Sequence, residues 1–247
     1  MGGRHVHGAR RLLEGALEGL PEEELVRAAR TVVARLGAPE RLPALVRELA
    51  TGTGDPSGCA LLSYRHVLGF DKLLLVDGGP RHMLRAHIWH PDTRGEGRED
   101  IHNHRSPLAS YVVRGTLGME LYEPVPGAEE GGRAASWYRE SLSGEEGHWL
   151  LEPAGPARLR LTQSAEFAAG SGYALPSYAL HRAWCASAEP TVTLFLETGS
   201  GRRTYTDVFA EAEAGASGGG RAEAVVKRPM EVKEYLAELE ALAGLLG

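Results

Sequence analysis

From about residue 60 the apolar period of this chain changes from three-to-four to two, in short runs with no helices between them. DKLLLV and RHMLRAHIWH flank Asp77-Gly78-Gly79-Pro80 and read as a hairpin across residues 71–90. SYVVRGTLGMELYE, HWLLE, ARLRLTQ and PTVTLFLET are further short strands separated by Gly, Pro and Ser. Parallel neighbours need a crossover of about a dozen residues or more, usually a helix, and none is available here. The spacing therefore predicts a mainly β fold, an antiparallel barrel or sandwich.

The two ends have a different period. LPEEELVRAARTVVARLG places Leu25, Ala28, Ala29, Val32 and Leu36 on one helical face and stops at Gly37. PERLPALVRELA repeats the spacing with Leu42, Leu45, Val46 and Leu49, and TGTGDPSG (51–58) is turn chemistry. EAGASGGGRAEA is too poor in apolar groups to pack and reads as a flexible loop. Near the end, Val232, Tyr235, Leu236, Leu239, Leu242 and Leu246 line one face of a helix that can dock on the β domain or on a second subunit. The expected organisation is a helical segment over 1–50 packed on a barrel over 58–212, a linker over 213–229 and a helix over 230–247.

Charge narrows the partners. A net charge of -6 argues against nucleic acid or an anionic membrane surface, and no apolar run approaches the roughly 18 residues of a membrane span. Two cysteines, Cys59 and Cys185, give no disulfide framework and fit a reducing, cytoplasmic setting.

The chemistry-bearing stretch is EDIHNHRSPLASYVVRG (99–115). On a strand, residues i and i+2 point the same way, so His102 and His104 can grip one ion from one side of a sheet. A mononuclear metal site with open positions needs a third protein ligand from another strand. The candidate is His181 in GSGYALPSYALHRAWC. On the preceding hairpin, Leu84, Ala86 and Ile88 form one row, which turns Arg85 and His87 towards the cavity as candidate substrate-binding residues, with Arg65 a further arginine. Tyr178, Ser110, Tyr111 and Tyr173 are candidate hydrogen-bond donors to a bound ligand. Arg105 and Arg182 each follow a ligand candidate, and strand alternation sends them away from the metal into structural ion pairs. Glu120 and Glu197 are the only acids that could substitute for a carboxylate ligand and read as structural, and Cys185 reads as a buried apolar residue.

H-x-H followed by Gly115, then Gly170, Pro176 and His181 in the pattern G-x5-P-x4-H, resembles the two motifs of the cupin superfamily. The resemblance implies a small double-stranded β-barrel, or jelly roll, with the metal inside. The first motif normally adds a glutamate four or five residues after its second histidine, where this chain has Leu108 and Ala109. A cupin with three histidines and no glutamate is most similar to the cysteine dioxygenase branch. That branch implies iron(II) as cofactor and an oxidoreductase, a dioxygenase using O2. It also places a cysteine soon after H-x-H and a His-x-Tyr pair on a late strand, where this chain has Ala109 and Phe195-Leu196-Glu197. Cysteine as substrate therefore does not carry over, and the expectation is a small, anionic metabolite. Zinc, nickel or manganese in the same triad would support lyase, isomerase or hydrolase chemistry, and a non-catalytic small-molecule-binding barrel is a further alternative. Exposed strand edges favour a homodimer.

Overall fold

The computed structural model describes residues 3–66, 70–91, 99–126, 131–142, 148–199, 203–211, 223–226 and 228–247. Four helices come first: α1 (Arg4–Leu17), α2 (Glu22–Leu36), α3 (Leu42–Ala50) and α4 (Pro56–Leu61). Glu22, Glu23 and Glu24 fill the first turn of α2, where their charge complements the positive end of the helix dipole. The turn-like TGTGDPSG also holds the start of α4. Asp55 caps it, accepting from the Gly58 N–H at 2.9 Å, and Pro56 occupies a first-turn position that needs no N–H.

The strands are β1 (Tyr64–His66), β2 (Phe70–Asp77), β3 (His82–Trp89), β4 (Ile101–His102), β5 (Leu108–Arg114), β6 (Thr116–Pro124), β7 (Arg133–Leu142), β8 (His148–Ala168), β9 (Gly172–Leu175), β10 (Leu180–Cys185), β11 (Thr191–Thr198), β12 (Tyr205–Glu211) and β13 (Glu223–Val226). Their antiparallel pairings are nested. β6 pairs with β8, β5 with β9, β4 with β10, and β3 with β11. A long hairpin folded over on itself in this way gives two facing sheets, β3-β11-β5-β9 and β4-β10-β6-β8. That is the jelly roll, and it is the fold class expected from the sequence. β1 and β2 extend the first sheet at its β3 edge.

The tight hairpin between β5 and β6 turns on Gly115, whose φ of +77° favours glycine. A Cβ there would also lie 2.5 Å from the Thr191 hydroxyl oxygen. That hydroxyl and the one on Ser187 accept the Thr116 N–H at 3.1 and 2.6 Å.

Two expectations are corrected. HWLLE and ARLRLTQ lie within one 21-residue strand, β8, which pairs with β7 along its first half and β6 along its second. β7 and β12 were not anticipated. In RAASWYRESL and YTDVFAE small, polar and apolar residues mix on both faces, so the period-two signal is weak. β7 pairs with β12 and β12 with β4, so the second sheet closes on itself. Within the segment read as a linker, Glu223–Val226 form β13 on the edge of β8; residues 213–222 and 227 of that segment lie outside the described residues.

The first sheet is buried on both sides. Its outer row, including Leu73, Leu84, Ala86, Ile88, Val192, Leu194 and Leu196, shares one apolar core with Val6, Leu13, Leu25, Val32 and Leu45 of the helices. α5 (Val232–Leu246) packs into that core through Tyr235, Leu239 and Leu242, and the Tyr235 hydroxyl donates to the Leu74 carbonyl at 2.6 Å. The inner row, with Phe70, Trp89, Leu108, Val112 and Phe195, packs against Leu117, Met119 and Ala183 of the second sheet. Among the described residues no helix is long and apolar enough to cross a membrane. Tyr235→Ala removes a side chain only 1% exposed and should cost about 3–5 kcal/mol, measured as a lowered urea midpoint.

Candidate metal centre

Nested pairing brings β4 beside β10, and their register sets His181 directly opposite His102. Residues opposite one another on adjacent strands share a face, so both imidazoles point between the sheets. His104 follows two residues after His102, and its N–H donates to the Ser177 carbonyl at 3.1 Å, which ties it to the turn leading into β10. The ring centroids are 5.0 Å apart for His102 and His104, 4.8 Å for His102 and His181, and 5.1 Å for His104 and His181. One ring nitrogen from each of the three lies within 4.8 Å of the other two.

The donor set fits a divalent cation. His102 Nδ1 is 2.9 Å from the Asp100 carbonyl and His181 Nδ1 is 3.2 Å from the Ala179 carbonyl. A carbonyl only accepts, so Nδ1 carries the proton and Nε2 presents the lone pair, the arrangement that orients metal-binding histidines. Burial, then repulsion from His102, pushes His181 down to about 4. Burial, with repulsion from His102 and His181, also holds His104 well below the usual histidine range. These imidazoles are therefore neutral and ready to ligate at neutral pH.

Behind the ligands, Asn103 points to the opposite face. Its amide nitrogen donates to Asp207 Oδ2 at 2.8 Å, and its amide oxygen accepts the Asp207 N–H at 2.8 Å. Trp137 Nε1 and Arg203 Nη2 donate to the same carboxylate at 3.0 and 2.9 Å. This clasp fixes the residue between two ligands and rests on β12, which has no motif of its own. Arg182, also turned away from the site, donates through Nε to Glu120 at 2.6 Å. The Tyr122 hydroxyl donates to the same Glu120 oxygen at 2.6 Å. Arg182 is thus in the structural ion pair expected for it, and Glu120 is on the wrong face to be a ligand.

The floor below the triad comes from the first sheet. Phe195 stacks on His87 at 4.7 Å and lies 5.6 Å from the His104 ring. His87 faces inward as its alternation with the outer row required; it is buried, and among the described residues its Nε2 has no hydrogen-bond partner. Burial, with the nearby charge of Lys72, pushes its pKa well down. Arg85 also faces inward, but Glu197 holds it at 2.8 Å and the Met83 sulfur lies 3.1 Å from its other nitrogen. Arg65 turns outward instead, 65% exposed, to Glu238 at 2.8 Å, so it does not reach the cavity. Tyr178 lies on the turn before β10 with its side chain 72% exposed. Cys185 bonds to the Thr191 hydroxyl at 3.4 Å, at the far end of β10 from His181. Tyr173 is buried, which raises its pKa, and the Ser110 hydroxyl has no hydrogen-bond partner among the described residues.

Two interior residues were missed by sequence reasoning. Glu99 is buried, and desolvation raises its pKa while Lys72 and His181 oppose the shift. It sits in a run of charged residues that reads as solvated. Lys72 interrupts an otherwise apolar strand, and its register opposite His87 was the signal available.

No protein-family model matches the sequence, and no curated protein does. Solved structures share parts of the architecture at low identity. KdgF from Halomonas sp. is 15% identical, with a TM-score of 0.33 over 57% of this chain and 86% of that one. The oxalate decarboxylase of Lactobacillus farciminis is 14% identical, with a TM-score of 0.34 over 59% and 32%. The L-ribose isomerase of Cellulomonas parahominis is 20% identical, with a TM-score of 0.32 over 52% and 57%. The jelly-roll assignment itself stands on the nested strand pairing, and the inward-facing histidine triad gives that barrel a candidate metal centre.

Two measurements follow from this geometry. Asn103→Ala should keep the barrel folded by circular dichroism yet weaken metal affinity about 10–100-fold. The unfolded chain takes up protons near the ordinary histidine value of 6.5 at His87, His104 and His181, whereas the folded form resists them. Stability of the metal-free protein should be full above that pH and fall as pH drops through 6.5 towards about 4. Urea midpoints that stay flat across this window would contradict it.

Proposed function

We propose that the protein is a metal-dependent cupin enzyme, an iron(II) oxygenase of the three-histidine, cysteine dioxygenase-like kind acting on a small anionic metabolite. The observation that supports this reading is the triad of His102, His104 and His181, with two tautomers already set by backbone carbonyls. Held by these three neutral imidazoles, an iron(II) ion would keep its full charge and would supply O2-dependent oxidation chemistry. The chain's own part is to hold the ligands, through the strand register and the Asn103–Asp207 clasp, and to keep the inner floor apolar through Phe195, Trp89 and Phe70. His87 presents an imidazole nitrogen on that floor, able to accept or donate a hydrogen bond to a ligand. Arg85 is committed to Glu197, and Tyr178 can reach a ligand only at the rim.

A second reading has one observation in its favour. The buried carboxyl of Glu99 gives the interior a proton-transfer group, which suits zinc-, nickel- or manganese-dependent lyase, isomerase or hydrolase chemistry.

Metal content after anaerobic purification, followed by oxygen uptake over a panel of small acids, separates the two. Stoichiometric iron with substrate-dependent oxygen loss is expected. Stoichiometric zinc or nickel with no oxygen loss would transfer the assignment to the non-oxidative reading. His102→Ala, His104→Ala and His181→Ala should each abolish metal retention while the thermal transition stays cooperative. A variant that keeps one equivalent of metal would remove that residue from the centre.

A further inference from the structure

We infer that Lys72 is the anchor for the substrate's anionic group, a carboxylate, and that its position beside His87 on the inner face of the first sheet makes the site selective for small carboxylic acids over their neutral amides. The inference rests on the metal-enzyme reading above and specifies its substrate class.

The argument starts from register. Lys72 on β2 is paired directly with His87 on β3, so the two side chains share a face. His87 on that face stacks on Phe195, which lies beside His104. Phe70, two residues before Lys72, belongs to the same inner core, whereas Leu73 belongs to the outer one. The lysine therefore sits on the floor of the site in a strand that is otherwise apolar or turned outward. It is half-buried, and its ammonium lies 5.1 Å from the Phe70 ring and 5.6 Å from the Tyr64 ring.

Three other cations near the site are held by carboxylates, and Arg105 lies over the Trp149 ring at 4.4 Å. Arg85 is bound to Glu197, Arg182 to Glu120, and Arg65 to Glu238 on the outside. Among the described residues no carboxylate lies within 4.0 Å of the Lys72 ammonium. Its charge nonetheless acts on His87, His104 and Glu99. A half-buried ammonium with aromatic neighbours but no anion is an incomplete pair. His102 and His104 are also half-buried, so a ligand arriving from solvent can meet the triad and the lysine. The orphaned Nε2 of His87 supplies a second polar contact on the lysine's own face.

A different explanation is that Lys72 serves as counter-charge to Glu99. The two make opposite predictions for variants. Cobalt(II)-loaded protein is titrated by calorimetry with glycolate, lactate and succinate, each against its amide. The wild type should bind at least one acid about tenfold or more tighter than its amide, the scale of a charge-assisted hydrogen bond. Lys72→Met should lower that ratio about tenfold, leaving only the preference due to the ion's own charge, while cobalt uptake and Tm stay unchanged. Cobalt uptake without any preference for an acid, or a preference undiminished in Lys72→Met, overturns the assignment and leaves the metal reading intact. A Lys72→Met protein that loses Tm and regains it when Glu99→Gln is added makes the lysine a structural counter-charge, which also overturns it. A wild type that takes up no cobalt sinks the metal reading and this inference together.

Discussion

The antiparallel contact between β4 and β10 is the constraint on which the candidate site depends. β4 is only two residues long, yet its register opposite β10 decides that His102 and His181 share a face. A slip of one residue would turn His181 away and bring Arg182 or Leu180 inward, because side chains alternate along a strand. The register is held from outside the pair. β6 pairs with β10 along six residues, β12 flanks β4, and Asn103 and Asp207 lock the residue between the two ligands.

The same alternation gives each sheet two roles. In the first sheet, one row of β3 and β11 joins the helices in an apolar core while the other carries His87, Arg85 and Phe195 inward. In the second sheet, one row of β10 presents His181 to the site, and the other buries Arg182 with Glu120 and Tyr122 in a separate polar network. Ion pairs with such partners satisfy buried charge and leave the metal side to neutral imidazoles.

Much of this was legible in the sequence because period-two patterning and histidine spacing are local signals. Leu84, Ala86 and Ile88 announced the outer row, and their alternation placed Arg85 and His87 inside. The H-x-H stood out by its spacing, and the distant His181 by the resemblance of Gly170, Pro176 and His181 to the second cupin motif. What stayed hidden were properties set by partners remote in sequence. Arg65 has inward-looking parity in the text, but α5 supplies Glu238 and draws it outward. Asp207 sits in a strand with weak patterning, so nothing in YTDVFAE signals that it braces the ligands. Lys72 reads as a solvated charge until the β2–β3 register sets it against His87.

Nested pairing also makes one order of assembly the least costly in loop closure. His102 and His181 are about eighty residues apart, and closing such a loop directly is entropically costly. If β6 and β8 zip first, each successive pair, β5 with β9 and then β4 with β10, closes only a short additional loop. The ligands are then gathered at the third step of a zipper whose first two steps contain no histidine of the triad. On that order an ion would meet a finished site rather than template one, and would act mainly against the barrel's reopening.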